Sequence, residues 1–94
     1  MEIREFQALM ARTYGHRDEA RGRAGTLAWL VEELGELHRA IREENVEAME
    51  EEFADVFAWL ASLAVICGID LERACRKYLE GCPRCHSLPC ACDA

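Results

Sequence analysis

Between Leu27 and Ile41 the apolar residues Leu27, Leu30, Leu34, Leu37 and Ile41 recur at alternating steps of three and four. That spacing gathers them on one face of an α-helix, whereas a half-buried strand would need alternation at every second residue. A stripe of this kind packs against another helix, so the chain must supply further helices or meet another copy.

Helical periodicity occurs elsewhere, and no segment has sustained period-two alternation. A first helix is expected over about Glu2 to Tyr14, with Ile3, Phe6, Leu9, Met10 and Tyr14 on one side, followed by the Gly- and Arg-rich linker "GHRDEARGRAG". The second runs from about Thr26 to Arg42, and Glu43, Glu44 and Asn45 make a turn. The third, Val46 to Cys67, carries Phe53, Val56, Phe57, Leu60, Leu63 and Ala64 on its apolar face and stops at Gly68. Asp70 reads as the N-cap of a short fourth helix, Leu71 to Leu79. Short connections favour an antiparallel arrangement, so the expected fold is an all-α, four-helix antiparallel bundle over residues 1–80. Residues 81–94, "GCPRCHSLPCACDA", form a separate Cys-rich tail.

The chain of 94 residues has room for one small domain. A domain of this size is marginal alone, which favours a metal or a homodimer or homotetramer. The net charge of −7 argues against a duplex nucleic acid partner, which would call for clustered Lys and Arg. The N-terminus lacks the order of a signal peptide, and the uncharged run Val56 to Ile69 is too short to span a membrane. A cytoplasmic protein is expected, in which six cysteines are thiols or metal ligands rather than disulfides.

Two polar stripes break the amphipathic pattern. On the second helix Trp29, Glu32, Glu33 and Glu36 follow i, i+3, i+4, i+7, and on the third Glu52, Asp55, Trp59 and Ser62 again step by three and four. At 100° per residue Glu33 lies about 80° from the centre of the leucine seam, Glu36 about 140° and Glu32 about 180°. If the turn near Glu44 makes the two helices antiparallel, Glu36 is level with Glu52, Glu33 with Asp55, and Trp29 with Trp59. Packed helices sit about 8–10 Å apart, so four carboxylates converge. Unless they are simply solvated faces of acidic helices, they must take up protons or hold a cation. An oxygen-only ligand set favours Mg²⁺ or Mn²⁺, and Mg²⁺ keeps open positions for water or phosphates.

The pattern "EELGE" (Glu32 to Glu36), fifteen intervening residues, then "EFAD" (Glu52 to Asp55) resembles the EExxE…ExxD signature of the MazG-like, all-α nucleoside triphosphate pyrophosphatases. The resemblance continues through "GIDLERACRKY" and covers most of residues 24–80. It implies an oligomeric helical bundle that binds Mg²⁺ and hydrolyses nucleoside triphosphates to monophosphate and pyrophosphate. It also implies that Glu33, Glu36, Glu52 and Asp55 are metal ligands, with Glu32 a partner of the metal's waters or a water-orienting base; Glu32 and Glu33 are thus the catalytic candidates. Larger relatives contain two such domains, and several grip phosphate or sugar with an asparagine and a lysine in the last helix. Here Lys77 is the counterpart of that lysine, and no asparagine stands near it.

Other residues add weaker signals. Trp29 and Trp59 would flank the metal and either stack on a nucleobase or simply pack. Arg12, His16, Arg17, Arg21 and Arg23 make a basic cluster in an acidic chain; Arg17 and Arg23 are the candidate triphosphate contacts, against a solvated loop. His38 reads as an exposed helix residue, and Cys67 and Cys75 as structural thiols. In the tail, Cys82, Cys85, Cys90 and Cys92 form CxxC, four residues, then CxC, a spacing that suits one structural tetrahedral Zn²⁺, with His86 able to replace one cysteine. One or two disulfides, or an unstructured tail, would use the same cysteines differently. Two other functions fit these features: a phosphoribosyl-ATP pyrophosphatase-like enzyme, and a non-catalytic zinc-binding adaptor.

Overall fold

The structure, a computed structural model, describes residues 1–93 and is helical without strands among them; Ala94, the last residue of the expected tail, lies outside. Helix α1 spans Ile3–Arg42, α2 Val46–Ile66 and α3 Leu71–Ala74, the last continued by a 3₁₀ segment, Cys75–Tyr78. Among the described residues no single helix is long and apolar enough to cross a membrane.

The expected linker between the first two helices is itself helical apart from one residue. Gly22 (φ 82°, ψ 173°) breaks α1 into an N-terminal and a C-terminal arm. That conformation is open essentially to glycine alone, so the break is written at one position rather than along a loop. Both arms pack on α2: Phe6 of the first meets Phe57 with ring centroids 5.1 Å apart, and Trp29 of the second meets Trp59.

The turn from α1 to α2 has the residues expected of it. Glu44 takes a positive φ of 54°, and the Asn45 side chain accepts the Ala48 N–H at 3.1 Å as N-cap of α2. At the far end Gly68 (φ 73°) closes α2 and Asp70 caps α3, accepting the Arg73 N–H at 3.2 Å. Buried Gln7 ties this corner to the N-terminal arm, donating to the Ile69 carbonyl at 2.6 Å and accepting from the Leu71 N–H at 3.0 Å.

The expected fourth helix, Leu71 to Leu79, is shorter than its sequence pattern suggests. The fourth helix is one α turn plus a 3₁₀ turn, because Tyr78 and Leu79 find no core to pack on and stay 59 and 78 % exposed. A helix this short has little intrinsic stability without such packing.

A second correction concerns which face α1 buries. The row covered by α2 is Thr26, Leu30, Glu33, Leu37 and Ala40, again at steps of four and three, while Leu27, Leu34 and Ile41 are 49, 47 and 47 % exposed. The buried face is rotated by about 60° from the centre of the leucines, towards Glu33. On α2 the inward row is Glu52, Asp55, Trp59, Ser62 and Ile66, while Phe53, Phe57 and Leu60 are exposed. Within one chain the polar seams meet and much of the apolar surface points out. The radius of gyration, 15.6 Å, exceeds the roughly 13 Å of a compact domain this size.

Candidate metal centre and adjoining cavity

Rotation of the buried face puts Glu33 about 20° from its centre, at the level where α1 crosses the acidic part of α2. One carboxylate oxygen from each of Glu33, Glu52 and Asp55 lies within 4.8 Å of the others, and all three side chains are half-buried. Trp29 stacks on Trp59 at 5.9 Å between centroids and 14° between planes, one turn along from Glu33. The expected level pairing of Glu33 with Asp55 and of Trp29 with Trp59 is thus present.

Glu36 is not drawn into the triad. It is exposed, and its Oε2 lies 4.0 Å from Arg39 Nη1, because three residues past Glu33 the helix has turned it off the seam. Glu52, expected opposite Glu36, meets Glu33 instead. Glu32 is exposed on the outer side of α1.

Burial raises the Glu33 carboxyl above its ordinary 4.5, helped by a hydrogen bond shared with Glu52 and by the charges of Asp55, Glu52 and Glu36. Glu52 Oε2 is buried without a hydrogen-bond partner. A buried acceptor left bare costs stability, and three converging oxygens with one unsatisfied have the donor chemistry of a hard divalent cation site. The residues therefore fit Mg²⁺ or Mn²⁺.

A cavity of about 250 Å³ opens beside the triad, with Asp55, Trp59 and Ser62 on its α2 wall and Tyr14, Arg17, Asp18 and Arg21 on its α1 wall. Arg17, expected as a phosphate contact, lines it. Arg23 and Lys77 do not; Arg23 is exposed, and Lys77 Nζ lies 5.3 Å from the Tyr78 ring centroid. Arg21 stands over Trp59, Cζ to centroid 4.9 Å, while its Nη1 donates to Asp18 Oδ1 at 2.9 Å and lies 3.5 Å from Thr26 Oγ1. Sequence reasoning, which treats residues 15–25 as a linker, misses Asp18 and the place of Tyr14 and Arg21 in this wall. The signal is there all the same: Tyr14, Asp18 and Arg21 are spaced by four and three, one helical face.

The tail makes a second cluster. Sulfurs of Cys82, Cys85, Cys90 and Cys92 lie within 4.8 Å of one another, and all six cysteines of the chain are free thiols. Cys82 Sγ is 3.6 Å from Cys92 Sγ, far beyond a disulfide bond. Backbone N–H groups point at the sulfurs: those of Ala91 and Ser87 bring the Cys85 thiol down to about 6, and those of Cys85 and Arg84 lower Cys82. Cys92, crowded by Cys90, Cys82 and Cys85, is pushed up to about 11. Four thiols so arranged cannot all ionise unless a cation joins them, which is the chemistry of a metal knuckle. The turn depends on Gly81 (φ 99°), where an added Cβ would meet the Ser87 carbonyl oxygen at 2.5 Å. His86 is exposed and outside the cluster; its backbone N–H donates to the Cys82 carbonyl at 2.7 Å.

A family model described as a MazG nucleotide pyrophosphohydrolase domain matches residues 21–87. The matched span holds the three converging carboxylates, both tryptophans and the first two tail cysteines; Asp18 precedes it, and Cys90 and Cys92 follow it. No curated protein matches the chain.

Proposed function

The chain belongs to the MazG nucleotide pyrophosphohydrolase family, and from that premise we propose that it hydrolyses nucleoside triphosphates to monophosphate and pyrophosphate with Mg²⁺ held by Glu33, Glu52 and Asp55. The observation that carries this reading is the convergence of those three carboxylate oxygens within 4.8 Å, with Glu52 Oε2 buried and unsatisfied.

Bound there, Mg²⁺ or Mn²⁺ would neutralise charge on the leaving pyrophosphate and acidify a water. Glu36, one turn along on the exposed edge, becomes a fourth oxygen donor if its side chain leaves Arg39. Arg17 offers charge-assisted hydrogen bonds to the phosphates, and Trp29 and Trp59 exclude water from one side of the carboxylates.

The four tail thiols hold a structural Zn²⁺, adding the stability that a chain this short lacks. The outward apolar stripes, Leu27, Leu34 and Ile41 on α1 and Phe53, Phe57 and Leu60 on α2, are covered by a second copy in a homo-oligomer. Free thiols of this density suit the reducing cytoplasm.

The test is pyrophosphate release from a panel of ribo- and deoxyribonucleoside triphosphates with and without Mg²⁺. Asp55→Asn should cut kcat/KM by about 100-fold or more, and Glu36→Gln by about tenfold or less, as suits a residue at the margin of the site. No hydrolysis of any triphosphate would overturn the reading in favour of a non-catalytic adaptor.

A further inference from the structure

Asp18 is 2 % exposed, and one of its two carboxylate oxygens is accounted for. Oδ1 accepts from Arg21 Nη1; Oδ2 is buried with no hydrogen-bond partner, in a residue that lines the cavity beside the metal-binding carboxylates. An uncompensated buried acceptor costs stability, and a donor from a ligand would satisfy it.

The surroundings restrict what that donor belongs to. The cavity of about 250 Å³ falls below the range of whole small-molecule sites, so it takes one part of a ligand. Trp59 and Tyr14 give it aromatic surface suited to a flat ring. A phosphate would bring only acceptors to an acceptor. Along α2 the lining runs from Asp55 to Ser62, about 10 Å at helical rise. A nucleotide laid along that wall puts its phosphates at Asp55 and its base at Asp18.

From this geometry, and resting on the pyrophosphohydrolase reading for the ligand's identity, we infer that the Asp18–Arg21 pair is a nucleobase-reading element that selects bases whose pairing edge sets an exocyclic amine beside a ring acceptor, as those of cytosine and adenine do. The amine projects beyond the ring and donates to Asp18 Oδ2. Arg21, which uses Nη1 for Asp18 and Thr26, turns its remaining N–H groups to the ring acceptor. Uracil is disfavoured because its ring N–H lies between two carbonyl oxygens, which the carboxylate repels. Guanine is disfavoured because its paired donors need both carboxylate oxygens, and Oδ1 is taken. Tyr14 and Arg17 are exposed side chains at the rim, so they can rotate to admit a ring without opening the core.

The test uses nucleosides in place of triphosphates and omits Mg²⁺, so that its outcome is independent of hydrolysis. Cytidine, adenosine, uridine and guanosine are titrated into the wild-type protein while the two tryptophan indole N–H signals are followed by NMR, with Trp29→Phe assigning that of Trp59. Cytidine and adenosine should move the Trp59 signal saturably, with affinities at least about tenfold above those of uridine and guanosine. Asp18→Asn should erase that preference in a protein whose helical content and cooperative thermal unfolding match those of the wild type. A Trp59 signal unmoved by cytidine and adenosine, equal response to all four, or a preference that survives Asp18→Asn overturns the inference. If Asp18→Asn does not fold, the wild-type ranking decides alone.

Discussion

Trp29 and Trp59 stack across the crossing of α1 and α2 with ring centroids 5.9 Å apart and planes 14° apart, one helical turn from the level at which Glu33 meets Glu52 and Asp55. The stack and the carboxylates share one helix register. Sliding one helix past the other by a turn would separate both pairs at once, so the aromatic contact and the acidic cluster are geometrically linked.

A double-mutant cycle with Trp29→Ala and Trp59→Ala should give a coupling energy of about 0.5–1.5 kcal/mol in urea unfolding, the range for an aromatic pair beyond its buried area. Mg²⁺ affinity should weaken in each single variant although neither residue offers a ligand. Unchanged Mg²⁺ binding in both would show that the stack does not hold the carboxylate register.

The Glu33 carboxyl, raised by burial and by its acidic neighbours, makes a signed contribution to stability. Below its ordinary 4.5 it is protonated in folded and unfolded chains alike; above that, and up to its raised folded value, only the folded chain keeps the proton. Its contribution is present at acid pH and is lost as pH rises through the folded value. Metal-free protein should therefore show a melting temperature that falls across this window, and Glu33→Gln should flatten the fall. Asp70, held below 3.8 chiefly by the Arg73 backbone N–H, titrates at lower pH and cancels between the two proteins. At neutral pH, Mg²⁺ should raise the wild-type melting temperature and leave that of Glu33→Gln nearly unchanged.

Leu34 is 47 % exposed and Phe53 56 %, so charging them should cost little within one chain and much between chains. Leu34→Lys with Phe53→Glu is expected to shift the molar mass in light scattering to that of a monomer, with helical content retained. A monomeric wild type would remove the homo-oligomer from the proposal.

In the tail, the depressed Cys85 thiol, brought to about 6, should be alkylated first at pH 7 in metal-free protein, and Cys92, raised to about 11, last. Mass spectrometry after brief iodoacetamide treatment reads the order. Zn²⁺ should protect all four cysteines together, and His86→Ala should leave the bound zinc unchanged. Zinc content that survives Cys90→Ser would rule out a site built from the four sulfurs.

Much of the fold and of the acidic cluster is legible in the order of residues. Helical spacing locates α2 and the C-terminal arm of α1, and Asn45, Gly68 and Asp70 mark ends that the backbone bears out. The level pairing of Glu33 with Asp55 follows from an antiparallel turn at a known residue. The N-terminal arm is harder to read: "GHRDEARGRAG" has three glycines and three arginines, a loop-like composition, yet Gly22 alone leaves the helix. Composition averages over a segment, whereas a helix is broken by the conformation of single residues.

The order of residues is enough to locate α2, the C-terminal arm of α1, their stops, the acidic stripes and the spacing of four cysteines, because each depends on local periodicity or capping. Which face of α1 meets α2 is settled by packing in three dimensions. A helix with leucines on one side and acids beside them has two faces to offer, and the choice depends on what covers the other. Here Glu33 turns inward and Leu34 outward, so the oxygens converge and the leucines are left exposed. Asp18 came to line the cavity beside Asp55 for the same reason. Its distance in sequence from the acidic motif hides a shared cavity wall that exists only once the arm before Gly22 folds back along α2.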